Sequence, residues 1–287
     1  MIKTRSGEII ATNEKQNRLL KKLYGTVSGR IALKVLTAPV ISKAAGLYMD
    51  SPFSKPLISR FISSNNIDTS QYIMEDFRSY NGFFTRRIRP EKRPIDTEPG
   101  HLISPCDSKL TAYRINKDSI FRIKNSYYRV SDLLRNEFLA RRYEGGYCLI
   151  FRLEVDDYHR YCYIDDGIKT GNTFIRGELH TVNPIALKRY NIYKRNSREY
   201  TILHTANFGD VVQVEVGAML VGRICNRHNE HSFTRGEEKG MFEFGGSTIV
   251  MLFERNSIIP DRDIAVNSKN GFETVVKYGE KIGKAVH

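Results

Sequence analysis

The 287-residue sequence has little cysteine, no long apolar run and no Gly-Lys-Ser/Thr phosphate loop. Each shortage removes a class of protein. The four cysteines, Cys106, Cys148, Cys162 and Cys225, are too sparse for a disulfide scaffold in a chain this long. A membrane-spanning helix needs about 20 consecutive apolar residues. Near the N-terminus the longest uncharged run is only Val35 to Ser42, between Lys34 and Lys43. Met1 to Asn17 is mostly polar and lacks the continuous apolar stretch of a secretory signal, so a reduced, intracellular protein is expected. Gly245-Gly246-Ser247-Thr248 is not a nucleophile elbow either, because Thr248-Ile249 follows where the second glycine should stand.

What is abundant is positive charge. Lys plus Arg exceed Asp plus Glu by 13, and residues 1–90 hold 15 basic against 6 acidic side chains. Such a basic third suits a polyanion, either lipid headgroups or nucleic acid. No RNA-recognition, zinc-finger or helix-turn-helix signature supports nucleic acid, although Tyr80, Phe83 and Phe84 stand beside Arg86 to Arg89. In the same third, Leu19, Leu20, Leu23, Val27, Ile31 and Val35 recur at helical spacing with lysines between them. Pro39 interrupts a pattern that resumes at Val40, Ile41, Ala44 and Leu47. By itself this is the pattern of helices packed on a core.

The basic, proline-rich stretch Arg86 to Pro94 reads as a join, after which β-branched runs take over. Gly146–Glu154, Val211–Ile224 and Ser247–Glu254 are the clearest strands. Between them Ser131 can cap a helix with Leu133, Leu134, Phe138 and Leu139 on one face. The expected fold is α+β: a mainly antiparallel β core with an N-terminal amphipathic helical region. The expected division is a basic, helical region over residues 1–90 and a β-rich domain over 91–287.

Taken singly, the chemistry-bearing residues are ambiguous. Ser104-Pro105-Cys106-Asp107-Ser108 can be an Asx turn closed by Asp107. His159 and Cys162, three apart, could join Cys225, His228 and His231 around zinc, but the spacing matches no common zinc module. No metal is expected.

Their order along the chain is more specific. Asn81-Gly82-Phe83-Phe84-Thr85-Arg86, Ser104-Pro105-Cys106-Asp107-Ser108 and Asp157-Tyr158-His159-Arg160 come first. Gly177-Glu178-Leu179-His180-Thr181-Val182-Asn183-Pro184, Val216-Gly217-Ala218-Met219-Leu220-Val221-Gly222 and Lys239-Gly240-Met241-Phe242-Glu243-Phe244-Gly245-Gly246-Ser247-Thr248 follow. Together, over about residues 70–255, they resemble the phosphatidylserine decarboxylase family.

That resemblance implies a proenzyme that cuts itself between Gly246 and Ser247, giving chains 1–246 and 247–287. It implies that Ser247 becomes a pyruvoyl group, which forms a Schiff base with the serine amine of the lipid and takes the place of pyridoxal phosphate. The substrate would be phosphatidylserine in an anionic membrane surface, and the product phosphatidylethanolamine. Asp107 matches the family aspartate of the self-cutting group. His159 matches the histidine that protonates the carbon left by carbon dioxide. Many members carry a second histidine where this chain has Cys162. The missing base could be Cys162 itself, His159 serving both steps, or His180, which stands where many members have an aromatic residue. A lipid substrate turns the basic third into an expected docking surface, peripheral on the cytoplasmic face of a bacterial membrane. The processed chains stay associated in such an enzyme, nucleic acid is not an expected partner, and a homodimer stays open. The alternatives are the same chemistry on another serine-headed lipid, or a basic lipid- or RNA-binding protein that never cuts.

Overall fold

The computed structural model describes residues 1–10, 26, 28, 39–123, 126–177, 196–217, 223–244 and 247–286. The Leu19 to Val35 repeat, His180 and Gly246 lie outside them.

An eleven-stranded sheet organises the chain. At its centre the strand Ser247–Phe253 runs antiparallel between Gly209–Val216 and Tyr147–Leu153, with Val250 opposite both Val214 and Ile150. All seven residues of this strand are buried. Alternation explains how: Val250 and Leu252 pack with Ile150, Val212, Val214 and Leu133, while Ile249, Met251 and Phe253 pack with Phe151, Leu153 and Leu110. A strand covered on both faces reads as a continuous apolar run, which is how this segment appears in the sequence.

Ser108–Arg114 and Glu273–Val276 extend the sheet beyond Tyr147–Leu153. Ile2–Lys3 adds the one parallel pairing among the described residues, against Glu273 and Thr274. The first residues are therefore built into the same sheet as Glu273–Val276, and Arg5 bonds Asp261, Asp263 and Glu280.

A three-stranded sheet of Arg160–Cys162, Glu238–Phe242 and Ile224–Asn226 packs beside the large one. Lys239, fully buried, joins the two through Glu215 at 2.6 Å, and within the small sheet it also bonds Asn226 at 2.8 Å. Removing one member of such a pair strands the other's charge, at a cost of about 3–5 kcal/mol. Gly240 is required next to it, because a Cβ there would lie 2.5 Å from the Cys225 carbonyl oxygen.

The antiparallel β core is as expected. So is a helix from the resumed apolar pattern, Pro39–Asp50. The helix placed at Ser131 differs. Two short helices, Val130–Leu134 and Glu137–Arg141, are separated at Arg135 by a positive φ of 50°. Asn136, not Ser131, supplies a side-chain cap, accepting from the Leu139 N–H. The break turns Phe138 out to 87% exposure while Leu133, Leu134 and Leu139 stay buried.

Candidate active site

Ser247 is the first residue of the central strand, opposite Leu153 and fully buried. The chain reaches it along Glu243 and Phe244, which are held from the side. The short helix Tyr80–Phe84 begins at Ser79, whose hydroxyl accepts from the Gly82 N–H. It presents Asn81, whose Oδ1 accepts from the Phe244 N–H at 2.9 Å. The Asn81 amide donates to Glu243 at 3.1 Å and to Asp50 at 2.7 Å. One buried side chain thus fixes the approach to Ser247 and the end of the Pro39–Asp50 helix together.

The same helix positions His159. Phe84 lies against the imidazole, with ring centroids 4.3 Å apart, and against Phe244 at 5.5 Å. His159 Nε2 is 2.8 Å from the Glu154 carbonyl oxygen. A carbonyl can only accept, so Nε2 carries the hydrogen and Nδ1 the lone pair. That Nδ1 is buried and has no hydrogen-bond partner. Burial pushes the ring down to about 3, so it is neutral at physiological pH. The turn that carries Glu154 is itself braced: Asp157 accepts from the Glu154 N–H at 2.7 Å and from Lys109 at 2.7 and 2.8 Å.

Asp107 sits on the neighbouring loop with 2% exposure. Arg93 grips both its oxygens, at 2.8 and 2.6 Å, and the Tyr278 N–H donates at 2.8 Å. Burial alone would raise this carboxyl, but the Arg93 bonds and the Lys277 charge outweigh it and hold Asp107 below the usual carboxylate range. No hydrogen bond joins Asp107 and His159: the first is spent on Arg93 and Tyr278, the second on Glu154. A cleft of about 570 Å³ opens over Asp107, lined also by Tyr72, Arg93, Lys109, Asp157 and Lys277.

Cys162 lies next to the Asp107 loop, its N–H donating to the Pro105 carbonyl at 2.9 Å. Burial pushes its thiol up to about 12, so it is protonated and a poor base. Cys162→Ser is expected to keep at least the ordinary rate of chain processing, measured as the fraction of cut chain on a denaturing gel. A loss of cutting would return the thiol to the reaction.

The five zinc candidates do not come together. Among the described residues only His228, His231 and Glu237 lie close enough to share an ion, and of the five candidates only two belong to that group. Cys225 instead contacts Glu243.

Comparison with known proteins decides the family. The phosphatidylserine decarboxylase family profile matches residues 80–284. A protein of Clostridium acetobutylicum named phosphatidylserine decarboxylase proenzyme 2 is 49% identical, over 96% of this chain and 95% of its own. Phosphatidylserine decarboxylase proenzymes of Clostridium novyi and Clostridium tetani are 42% and 39% identical, over 92% and 98% of this chain and 92% and 96% of theirs. The chain belongs to the phosphatidylserine decarboxylase family.

The matched span holds every expected site residue. Asp107 precedes Ser108–Arg114 and Ser247 opens the central strand, the two neighbours of Tyr147–Leu153, and His159 follows that strand's end. Three contacts are not marked in the sequence: Arg93 as the partner of Asp107, Tyr278 as its backbone donor, and Asn81 as the acceptor for the Phe244 N–H. Asn81 and Arg93 do stand in segments that drew attention, but nothing in their spacing names their partners.

Proposed function

We propose that this chain is a self-cutting phosphatidylserine decarboxylase, processed between Gly246 and Ser247, that converts phosphatidylserine to phosphatidylethanolamine with a pyruvoyl group made from Ser247. The observation that carries the reading is Ser247 itself, a hydroxyl buried at the head of the central strand, in a fold that also buries a neutral histidine with an open lone pair. A group made there fits the surroundings. Thr248 is paired on both sides, with Val216 and Arg152, so a new chain end at 247 stays locked inside the fold. Thr248 Oγ1 and His159 Nδ1 are buried without partners, as atoms awaiting a polar group would be.

In this reading His159 Nδ1 takes the Ser247 hydroxyl proton as the hydroxyl attacks the Gly246 carbonyl, and His159 later delivers a proton during turnover. Its Nε2–H stays on Glu154 throughout, which fixes the tautomer and aims the ring. Asp107 is the carboxylate of the self-cutting group, a fixed negative charge that Arg93 and Tyr278 hold in place. Once formed, the pyruvoyl carbonyl supplies the electron sink that loss of carbon dioxide needs.

The lipid would be met at a membrane surface. Leu47, Tyr48 and Phe53 are 65%, 46% and 82% exposed along the Pro39–Asp50 helix and the turn after it. No helix among the described residues is long and apolar enough to cross a membrane. Extracting a lipid costs about 0.8 kcal/mol per CH₂, so docking on the cytoplasmic leaflet through this basic, apolar region is the economical route to the headgroup. The test uses phosphatidylserine vesicles at low salt: carbon dioxide release with protein bound to the vesicles is the expected result. Bound protein with no release would instead favour the binding protein that never cuts.

A further inference from the structure

Arg86 is 2% exposed, and half of its guanidinium has nothing to bond. Its Nη1 makes two long bonds, at 3.4 Å, to the carbonyls of Phe83 and Phe84. Its faces are covered by Tyr72, 4.1 Å from ring centre to Cζ, and by Phe83 at 4.8 Å. Nε and Nη2 are buried without a hydrogen-bond partner, and Arg86 makes no ion pair among the described residues.

Arg152, Arg93 and Arg198, also buried or nearly so, fill that edge. Arg152 fills Nε and Nη2 with the two oxygens of Glu273. Arg93 fills them with Asp107. Arg198 uses the carbonyls of Leu133 and Asp132, and Arg160 Nε takes the Thr85 carbonyl. Nε–H and Nη2–H point the same way and form a two-pronged donor that matches an oxoanion. A buried cation with this fork empty is costly unless an anion completes it. The location suits a substrate: Tyr72 lines the cleft over Asp107, and Arg86 follows the helix whose Phe84 packs on His159. The Arg86 charge also acts on the His159 ring.

We propose that the open Nε–Nη2 edge of Arg86 receives the phosphodiester of the lipid headgroup. The inference rests on the decarboxylase reading above. The headgroup brings two oxoanions, and the phosphodiester is favoured because its charge persists through the reaction. A guanidinium clamped on the carboxylate would stabilise the reactant more than the transition state in which that charge leaves. The edge is closed to solvent in the continuous chain, so its use follows processing.

The test compares wild type, Arg86→Met and Arg86→Lys as processed enzymes, the cut verified by intact mass. KM and kcat are measured with dispersed short-chain phosphatidylserine. The inhibition constant is measured for short-chain phosphatidylethanolamine, which keeps the phosphodiester and lacks the carboxylate. In Arg86→Met, KM and the product's inhibition constant are expected to rise together by at least about tenfold, the scale of losing a charge-assisted hydrogen bond, with kcat changed far less. Arg86→Lys is expected to recover part of both. A raised KM with unchanged product inhibition would hand Arg86 to the carboxylate and overturn the proposal. Unchanged KM and inhibition would make Arg86 a packing residue and overturn it too. If only Arg86→Lys is cut, the same two constants are read from it. If neither variant is cut, Arg86 serves processing instead and the proposal falls. A wild type that releases no carbon dioxide would defeat the decarboxylase reading itself, a separate outcome.

Discussion

Ser247→Ala is expected to leave one uncut chain of 287 residues with no decarboxylase activity. The loss is complete because the hydroxyl is both the nucleophile that cuts the chain and the source of the reactive group. No neighbouring residue can substitute for it at residue 247. The change removes one oxygen from a fully buried site at a strand end, so the sheet should hold: Thr248 to Leu252 keep their pairing on both sides. The measurement is a denaturing gel with circular dichroism on the same sample. A cut Ser247→Ala chain would move the cleavage site elsewhere and take the proposed chemistry with it.

His159→Ala is the second large effect. An open Nδ1 on a neutral ring is the arrangement of a proton acceptor, and general-base assistance is worth about 10²- to 10⁴-fold. Processing is expected to slow by that order, read as the half-time of cutting in freshly made protein. His159→Gln is the companion variant, since it can keep a donor toward the Glu154 carbonyl while losing the imidazole lone pair. If His159→Ala cuts at the normal rate but releases no carbon dioxide, His159 belongs to turnover alone. The base for cutting must then come from elsewhere, with His180 the remaining candidate from the sequence. Normal cutting together with normal turnover would remove His159 from the site.

Much of this was legible before any coordinates. The central strand announces itself because seven residues buried on both faces read as one apolar run, and Asp107, His159 and Ser247 stand in motifs whose order is specific. The rest was hidden for physical reasons. Whether Asp107 closes its own turn or meets a cation depends on where the loop carrying Arg93 returns, which spacing does not encode. The partner of His159 is a backbone carbonyl, and every residue carries one, so no side-chain pattern could mark Glu154. The helix near Ser131 looked continuous because its apolar spacing is nearly right. One residue in the left-handed region, Arg135, divides it and sends Phe138 outward. Arg86 is the sharpest case: its basic segment suggested a surface, and only packing reveals a buried guanidinium with an unused edge.

The base for cutting is where structure narrows the sequence reading most. Cys162 was one of three candidates because it occupies the position where many family members have histidine. Its burial keeps the thiol protonated, whereas burial of His159 keeps the imidazole neutral with its lone pair available. Burial thus keeps the proton on one group and off the other.

The central claim, that this chain makes its own reactive group at Ser247, is tested most directly by an intact-mass spectrum of the purified wild-type protein under denaturing conditions. The expected result is two chains, residues 1–246 and 247–287, the smaller one lighter by one ammonia than its sequence requires. A single full-length chain that stays whole after incubation with phosphatidylserine vesicles would contradict it.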